Sequence, residues 1–282
     1  MPTYLLQHLT VRHSGAPAAA GARPALRDIS LTIEPGEQLA LIGPSGAGKT
    51  TLLATLACAQ RPFEGVFKAF DQDPWMLADA ARHRLRAQLF LAPQTPPLPP
   101  RQRVVTAVLA ARLPQWSIWR ALLSLFKPAD PQAAWQALSR FNLGDKLYSR
   151  VDRLSGGERQ RCGLARLLLS PAQALLIDEP LSALDPVLSE LTLTTLREEA
   201  AARNATLICS LHQVELALAH FPRIVALRDG RIAFDLPRAQ VTPQMIAELY
   251  RGVSATAPAP APEVDDRHEH DAAARAGIGA CL

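Results

Sequence analysis

No apolar run in this 282-residue chain reaches the roughly 18–20 residues needed to cross a bilayer, so no membrane-spanning helix is expected. The first residues, Met1-Pro2-Thr3-Tyr4, lack the basic start, apolar centre and cleavage site of a signal peptide. The protein is therefore expected to stay in the cytoplasm, with any membrane role supplied through a partner. Cysteine is scarce: Cys58, Cys162, Cys209 and Cys281 are far apart and show no metal-ligand spacing. That argues against a disulfide framework and for buried, reduced thiols at the first three. Net charge is only +4, from 30 basic and 26 acidic residues scattered along the chain, which gives no footprint for nucleic acid.

What is present is a glycine-rich loop, Gly43-Pro44-Ser45-Gly46-Ala47-Gly48-Lys49-Thr50, of the form GxxxxGK[ST]. It follows the apolar run Gln38–Ile42 and opens a helical stretch beginning Thr51-Leu52-Leu53. Strand, glycine loop and helix are the context a phosphate-binding loop requires. Glycines let successive N–H groups converge on phosphate oxygens, and the helix adds its positive N-terminal end. Lys49 is placed to reach the β- and γ-phosphates, and the Thr50 hydroxyl to ligate Mg²⁺. Average glycine usage would give such a match by chance about once in a hundred chains of this length.

Around this loop the chain reads as a mixed α/β protein. Alternating apolar positions at Tyr4, Leu6, Leu9 and Val11, then Leu26, Ile29, Leu31 and Ile33, predict antiparallel strands joined by the Ser14–Pro24 loop. His13 either stacks on an adenine or is a solvated loop histidine. The basic run Arg82–Arg86 predicts a solvated helix face. Leu89–Ala92 is a strand leading to Gln94, a glutamine that holds Mg²⁺ or water if it lies beside the nucleotide and is otherwise a surface amide. From Val104 to Leu147 the pattern is helical, with Trp116, Trp119, Leu122, Leu123 and Phe126 at three- and four-residue spacing. That stripe reads as the core of a small helical subdomain, with a partner-docking face as the alternative.

Leu154-Ser155-Gly156-Gly157-Glu158 opens another helix with Ser155 as N-cap and Glu158 completing a capping box, a second phosphate-facing helix end. Ala174–Asp178-Glu179 is a strand ending in two acids. Strand alternation points them to opposite sides, one carboxylate for Mg²⁺ and one to accept a proton from attacking water. Ser182–Asp185 caps the next helix, and His212 follows the strand Ala205–Ser210 at the edge where open α/β sheets bind ligands. Arg223–Phe234 predicts a hairpin turning at Arg228–Arg231, and a last helix spans about 243–251. Residues 253–282, with Ala-Pro repeats and an acidic, alanine-rich end, read as disordered.

The ordered set Gly43–Thr50, Gln94, Leu154–Glu158, Asp178-Glu179, Asp185 and His212 resembles the ATP-binding subunits of ABC transporters, over roughly residues 3–251. The resemblance implies a P-loop NTPase (RecA-like) core with an antiparallel β subdomain. An α-helical subdomain would be inserted at about 95–165, within a domain spanning 1–252. It implies catalytic roles for Glu179, His212, Gln94 and Lys49. Thr50, Gln94 and Asp178 would hold Mg²⁺. ATP would contact Gly43 to Thr51, with His13 at the base. Ser155, Gly156 and Gly157 would meet the ATP of a second subunit, with Asp185 linking the two sites. Two departures stand out: His13 replaces the aromatic ring usual near that position, and Pro93 replaces the aromatic residue usual before the glutamine. A finer resemblance, to ATPases of phosphonate importers, rests on Val108–Leu113 with Trp119–Leu123, on Leu211–Ala217 and on Arg223–Arg231. Importers of phosphite or related oxyanions look similar. The partners implied are a second copy of the chain, membrane permease subunits and, indirectly, a periplasmic solute-binding protein, at the cytoplasmic face of the inner membrane. Rivals are an exporter ATPase, a nucleotide-binding subunit without hydrolysis, and a non-transport ABC ATPase. This last is disfavoured by the lack of long coiled-coil insertions and of a second ATPase unit.

Overall fold

The computed structural model describes residues 1–12, 24–117, 119, 123, 124 and 128–252. Two sheets organise them. The larger has six strands in the order β5-β6-β7-β3-β8-β9, formed by β3 (Gln38–Ile42), β5 (Leu89–Ala92), β6 (Ala174–Asp178), β7 (Thr206–Ser210), β8 (Arg223–Arg228) and β9 (Arg231–Pro237). Its pairs are parallel except β8 with β9. The inner strands QLALI, ALLID and TLICS are short, nearly unbroken apolar runs, the composition of strands covered on both faces. The second sheet is antiparallel, in the order β2-β1-β4, from β1 (Tyr4–Val11), β2 (Leu26–Ile33) and β4 (Glu64–Ala69).

The core divides between the two faces of the large sheet with the two-residue period of a strand. Leu39, Leu41, Leu176, Ile208 and Val225 pack with Tyr4, Leu6, Ile29 and Ile33 of the antiparallel layer and with Leu52 and Leu56 of α1 (Lys49–Leu56). Ala40, Ile42, Leu175, Ile177, Leu207 and Ile224 turn the other way, toward a helical layer. After α2 (Asp79–Arg86), that layer contains α3 (Val104–Leu109), α4 (Pro131–Ser139) and α5 (Gly156–Leu169), which pack on one another. It continues with α6 (Pro186–Ala202), α7 (Val214–His220) and α8 (Pro243–Leu249). Residues 1–250 form one compact unit.

Two sequence expectations change here. The basic run on α2 is not simply a solvated face: Arg82 donates to the carbonyls of Pro74 and Leu77, and Arg86 to that of Cys58. Guanidinium forks tie the helix to loop carbonyls that have no strand partner. The aromatic stripe is not one buried core either. Trp116 packs against the helical core, but Trp119 is 74% and Leu123 68% exposed. Leu122 and Phe126 lie outside the described residues, as do His13 and the segment 253–282.

Cys58, Cys162 and Cys209 are free and buried. Burial pushes the Cys58 and Cys162 thiols up to about 12 and raises Cys209 further. Thiolates are the reactive form. The three should therefore resist maleimide at pH 8 until the chain is unfolded, as read by peptide mapping; rapid labelling of any of them in the native protein would contradict this packing.

Candidate nucleotide site

Four neighbouring strands of the large sheet, β5, β6, β7 and β3, deliver their carboxyl ends to one edge. β3 runs into Gly43–Thr50, β5 into Gln94, β6 into Glu179 and β7 into His212. That edge is where open parallel sheets place ligands.

The phosphate-binding loop is shaped by close approach. Gly43 has φ 145°, and a Cβ there would stand 2.1 Å from the carbonyl oxygen of Leu227. Gly48 has φ 106° and lies against Leu26 and the Ala25 carbonyl. Neither conformation nor space admits a side chain. Lys49, 5% exposed, folds its ammonium back onto the Gly43 and Pro44 carbonyls at 2.7 and 3.2 Å. Burial lowers its pKa, partly opposed by the negative charges of Glu179 and Asp178. A cleft of about 210 Å³ opens beside it, lined by Ala25, Ser45 to Thr51, Glu179 and His212.

Asp178 and Glu179 point apart by a route that strand alternation does not describe. Asp178, 5% exposed, ends β6 and accepts 2.6 Å from the Ser210 hydroxyl. Glu179 lies beyond the strand at φ 50°, a left-handed backbone seldom found outside glycine. That turn sends its carboxylate toward the cleft, where Oε2 accepts from Gln94 Nε2 at 2.8 Å and Oε1 meets His212 Nε2. The backbone of Glu179 is held as well: its N–H donates to Ser210 Oγ at 2.9 Å, and its carbonyl accepts from Gln160 Nε2 at 2.7 Å.

The second helix end carries the expected capping box. Ser155 Oγ accepts from Glu158 N–H at 3.2 Å, and Glu158 Oε2 accepts from Ser155 N–H at 2.8 Å. This last bond, chiefly, holds the Glu158 carboxyl below its ordinary range. Ser155, Gly156 and Gly157 do not line the cleft. Gly157 instead abuts the loop after Glu179: a Cβ on it would meet the Ala183 carbonyl at 2.6 Å. Asp185, at the end of that loop, caps α6 by accepting from Leu188 N–H at 2.9 Å. The prolines following Gln94 reach the same helix, with Pro96 so close to Gly163 that a Cβ would be 2.7 Å away. Sequence reading missed Gln160 and Ser210. The signals available were a single amide on the buried side of α5 and a hydroxyl ending an otherwise apolar strand.

The residues fit a magnesium nucleotide. Among the described residues no three His, Cys, Asp or Glu side chains converge on one point. Mg²⁺ needs no such cage, because it takes one or two protein oxygens and completes its shell with phosphate oxygens and water.

Fold and cleft together define a P-loop cassette for a nucleoside triphosphate. The pattern of the family described as ABC transporter matches residues 26–182. The phosphonates import ATP-binding protein PhnC 2 of Albidiferax ferrireducens is 61% identical over 245 residues, 87% of this chain and 88% of its own length. A phosphonates import ATP-binding protein PhnC of Polaromonas is 56% identical over the same shares of each chain. Among solved structures, the ATP-binding cassette MJ0796, a dimer bound to ADP and Pi, superposes with a TM-score of 0.71 at 24% identity, over 83% of this chain and 98% of that one. This chain belongs to the ABC transporter family, as one of its ATP-binding, ATP-hydrolysing subunits. No helix among its described residues is long and apolar enough to cross a membrane.

Proposed function

We propose that this protein powers an importer for phosphonates or a closely related phosphorus oxyanion, working at the cytoplasmic face of the inner membrane on permease subunits fed by a periplasmic solute-binding protein. The observation that carries the cargo assignment is the 61% identity, over 87% of the chain, to a phosphonates import ATP-binding protein.

In this reading Ser45 to Thr51 wrap the phosphates with backbone N–H groups and the N-terminus of α1. Lys49 leaves its carbonyl partners for the β- and γ-phosphates. Thr50, Gln94 and Asp178 would hold Mg²⁺, which would supply neutralisation of phosphate charge. Glu179 takes the proton of the attacking water, His212 steadies the γ-phosphate and pairs with the Glu179 carboxylate, and Gln94 senses the nucleotide and the membrane subunit. Ser155, Gly156 and Gly157 serve the ATP of a second copy of the chain, and Asp185 joins the two sites, so the working unit is a head-to-tail homodimer. Residues 1–252 act as the ATPase domain, and the helical segment at about 95–165 faces the permease. The Pro96–Gly163 contact supports that last role, because it links the segment after Gln94 to α5 without slack.

The test is co-purification of the tagged protein from a mild-detergent membrane extract, with partners identified by mass spectrometry. A multi-spanning permease together with a phosphonate-type binding protein is expected. Recovery only in the soluble fraction, with nucleic acid or ribosomes, would sink the transport reading.

A further inference from the structure

Glu179 is clamped at both ends of its own backbone, and the two clamps come from different parts of the molecule. On the amide side, Ser210 at the end of β7 accepts from Glu179 N–H and donates to Asp178. On the carbonyl side, the donor is Gln160, one turn into α5. Gln160 is 5% exposed, and its amide is spent wholly on the segment around the carboxylate. Nε2 reaches the Glu179 carbonyl at 2.7 Å and Ser182 Oγ at 3.3 Å, and Oε1 accepts from Ala183 N–H at 3.3 Å. The same helix begins with Ser155–Gly157 and packs on α3 and α4.

A left-handed non-glycine residue persists only where its surroundings over-determine it. Here the carbonyl half of that constraint rides on α5. A shift of α5 would therefore bear directly on the Glu179 peptide, whose carboxylate pairs with Gln94 and His212.

We infer that Gln160 is a positioning residue that aims Glu179 according to how α5 is seated, so that each site is fully assembled only when the same subunit's Ser155–Gly157 segment is engaged on the second subunit's nucleotide. This rests on the reading of Glu179 as the proton acceptor in a two-site dimer. Each chain would thus report the occupancy of one site to the base of the other, through one buried amide.

The experiment is steady-state ATP hydrolysis by the full-length chain carrying Gln160→Met, which keeps length and removes the donor, or Gln160→Glu, which keeps size and accepts without donating. Ser210→Ala is the comparison, because it loosens the amide side without involving α5. For the Gln160 variants, kcat should fall by about a hundredfold, the scale of an ångström-level misplacement at a reacting centre, while KM for ATP stays within about twofold. Their Hill coefficient should drop from about 2 toward 1, the limits for two coupled and two independent sites. Ser210→Ala should lose kcat but keep the Hill coefficient. A merely structural role for Gln160 would lower the melting temperature without touching cooperativity.

The inference is overturned by a folded Gln160 variant with parental kcat and Hill coefficient, by a loss confined to KM, or by a parent protein with a Hill coefficient of 1. Continued turnover by Glu179→Gln would overturn the underlying reading instead, so the two failures are distinguishable.

Discussion

Glu179→Gln is expected to bind ATP, nearly cease to hydrolyse it and accumulate as a dimer. The substitution preserves size and leaves an amide that can still pair with Gln94 and His212, the two groups that hold the carboxylate. What it removes is the capacity to take a proton. General-base contributions run to about 10²–10⁴ in rate, so phosphate release should fall by at least that lower figure while nucleotide affinity is kept. With the opening step starved, ATP holds the two copies together, and light scattering at saturating ATP should read twice the monomer mass. A monomer under those conditions would count against the two-site dimer, and turnover within tenfold of the parent would remove Glu179 from the role of base.

Lys49→Met should separate stability from function in the opposite sense to most core substitutions. The ammonium is buried, and it is satisfied by two loop carbonyls in place of solvent. In the proposed function it would stabilise charge on transferring phosphate, and loss of one such preorganised donor costs about 10²–10³ in rate. Turnover should therefore fall by at least that much, with weaker nucleotide binding. Stability need not fall with it, since replacing a desolvated charge by an apolar chain of similar volume is often neutral or stabilising. The sign of the pH effect follows from the same burial. Because the folded-state pKa of Lys49 lies below the ordinary lysine value of 10.5, the charged form is penalised in the fold. That penalty is full below the folded pKa and fades as pH rises toward 10.5. Alkaline titration of the melting temperature should show the parent gaining from this group over that window and Lys49→Met lacking the gain. A variant with parental turnover would refute the assignment.

Much of the nucleotide site could be read in advance because its parts are local. A strand, a glycine loop and a helix follow one another between Gln38 and Leu56, and the capping box at Ser155–Glu158 is complete within four residues. The order of the strands in the sheet then brings Gln94, Glu179 and His212 to one edge, as parallel connections dictate. The apolar run by itself predicts Glu179 as the last strand residue, with its direction set by alternation. Instead the strand stops at Asp178, and direction is set by a left-handed φ that only tertiary partners can impose. Gln160 and Ser210 carry no motif, because what makes them important is a contact 19 or 31 residues away along the chain. The exposed Trp119 and Leu123 show the converse limit. Helical spacing identifies a face, and it does not say what that face meets.

The hairpin turn between β8 and β9 has a practical consequence. Tight surface turns are ordinarily where a chain best accepts an inserted tag or a new terminus. In this turn Gly230 donates to the Ala47 carbonyl and accepts from Arg27 N–H, while Arg27 also grips the Asp229 carbonyl. A Cβ on Gly230 would stand 2.6 Å from the Ala25 carbonyl. The turn is thus a keystone wedged between the antiparallel layer and the phosphate-binding loop. Peptide tags, circular permutation or fluorescent insertions at 228–231 would dislodge the nucleotide cradle itself, so a site that looks permissive by its secondary structure is among the least suitable for engineering in this chain.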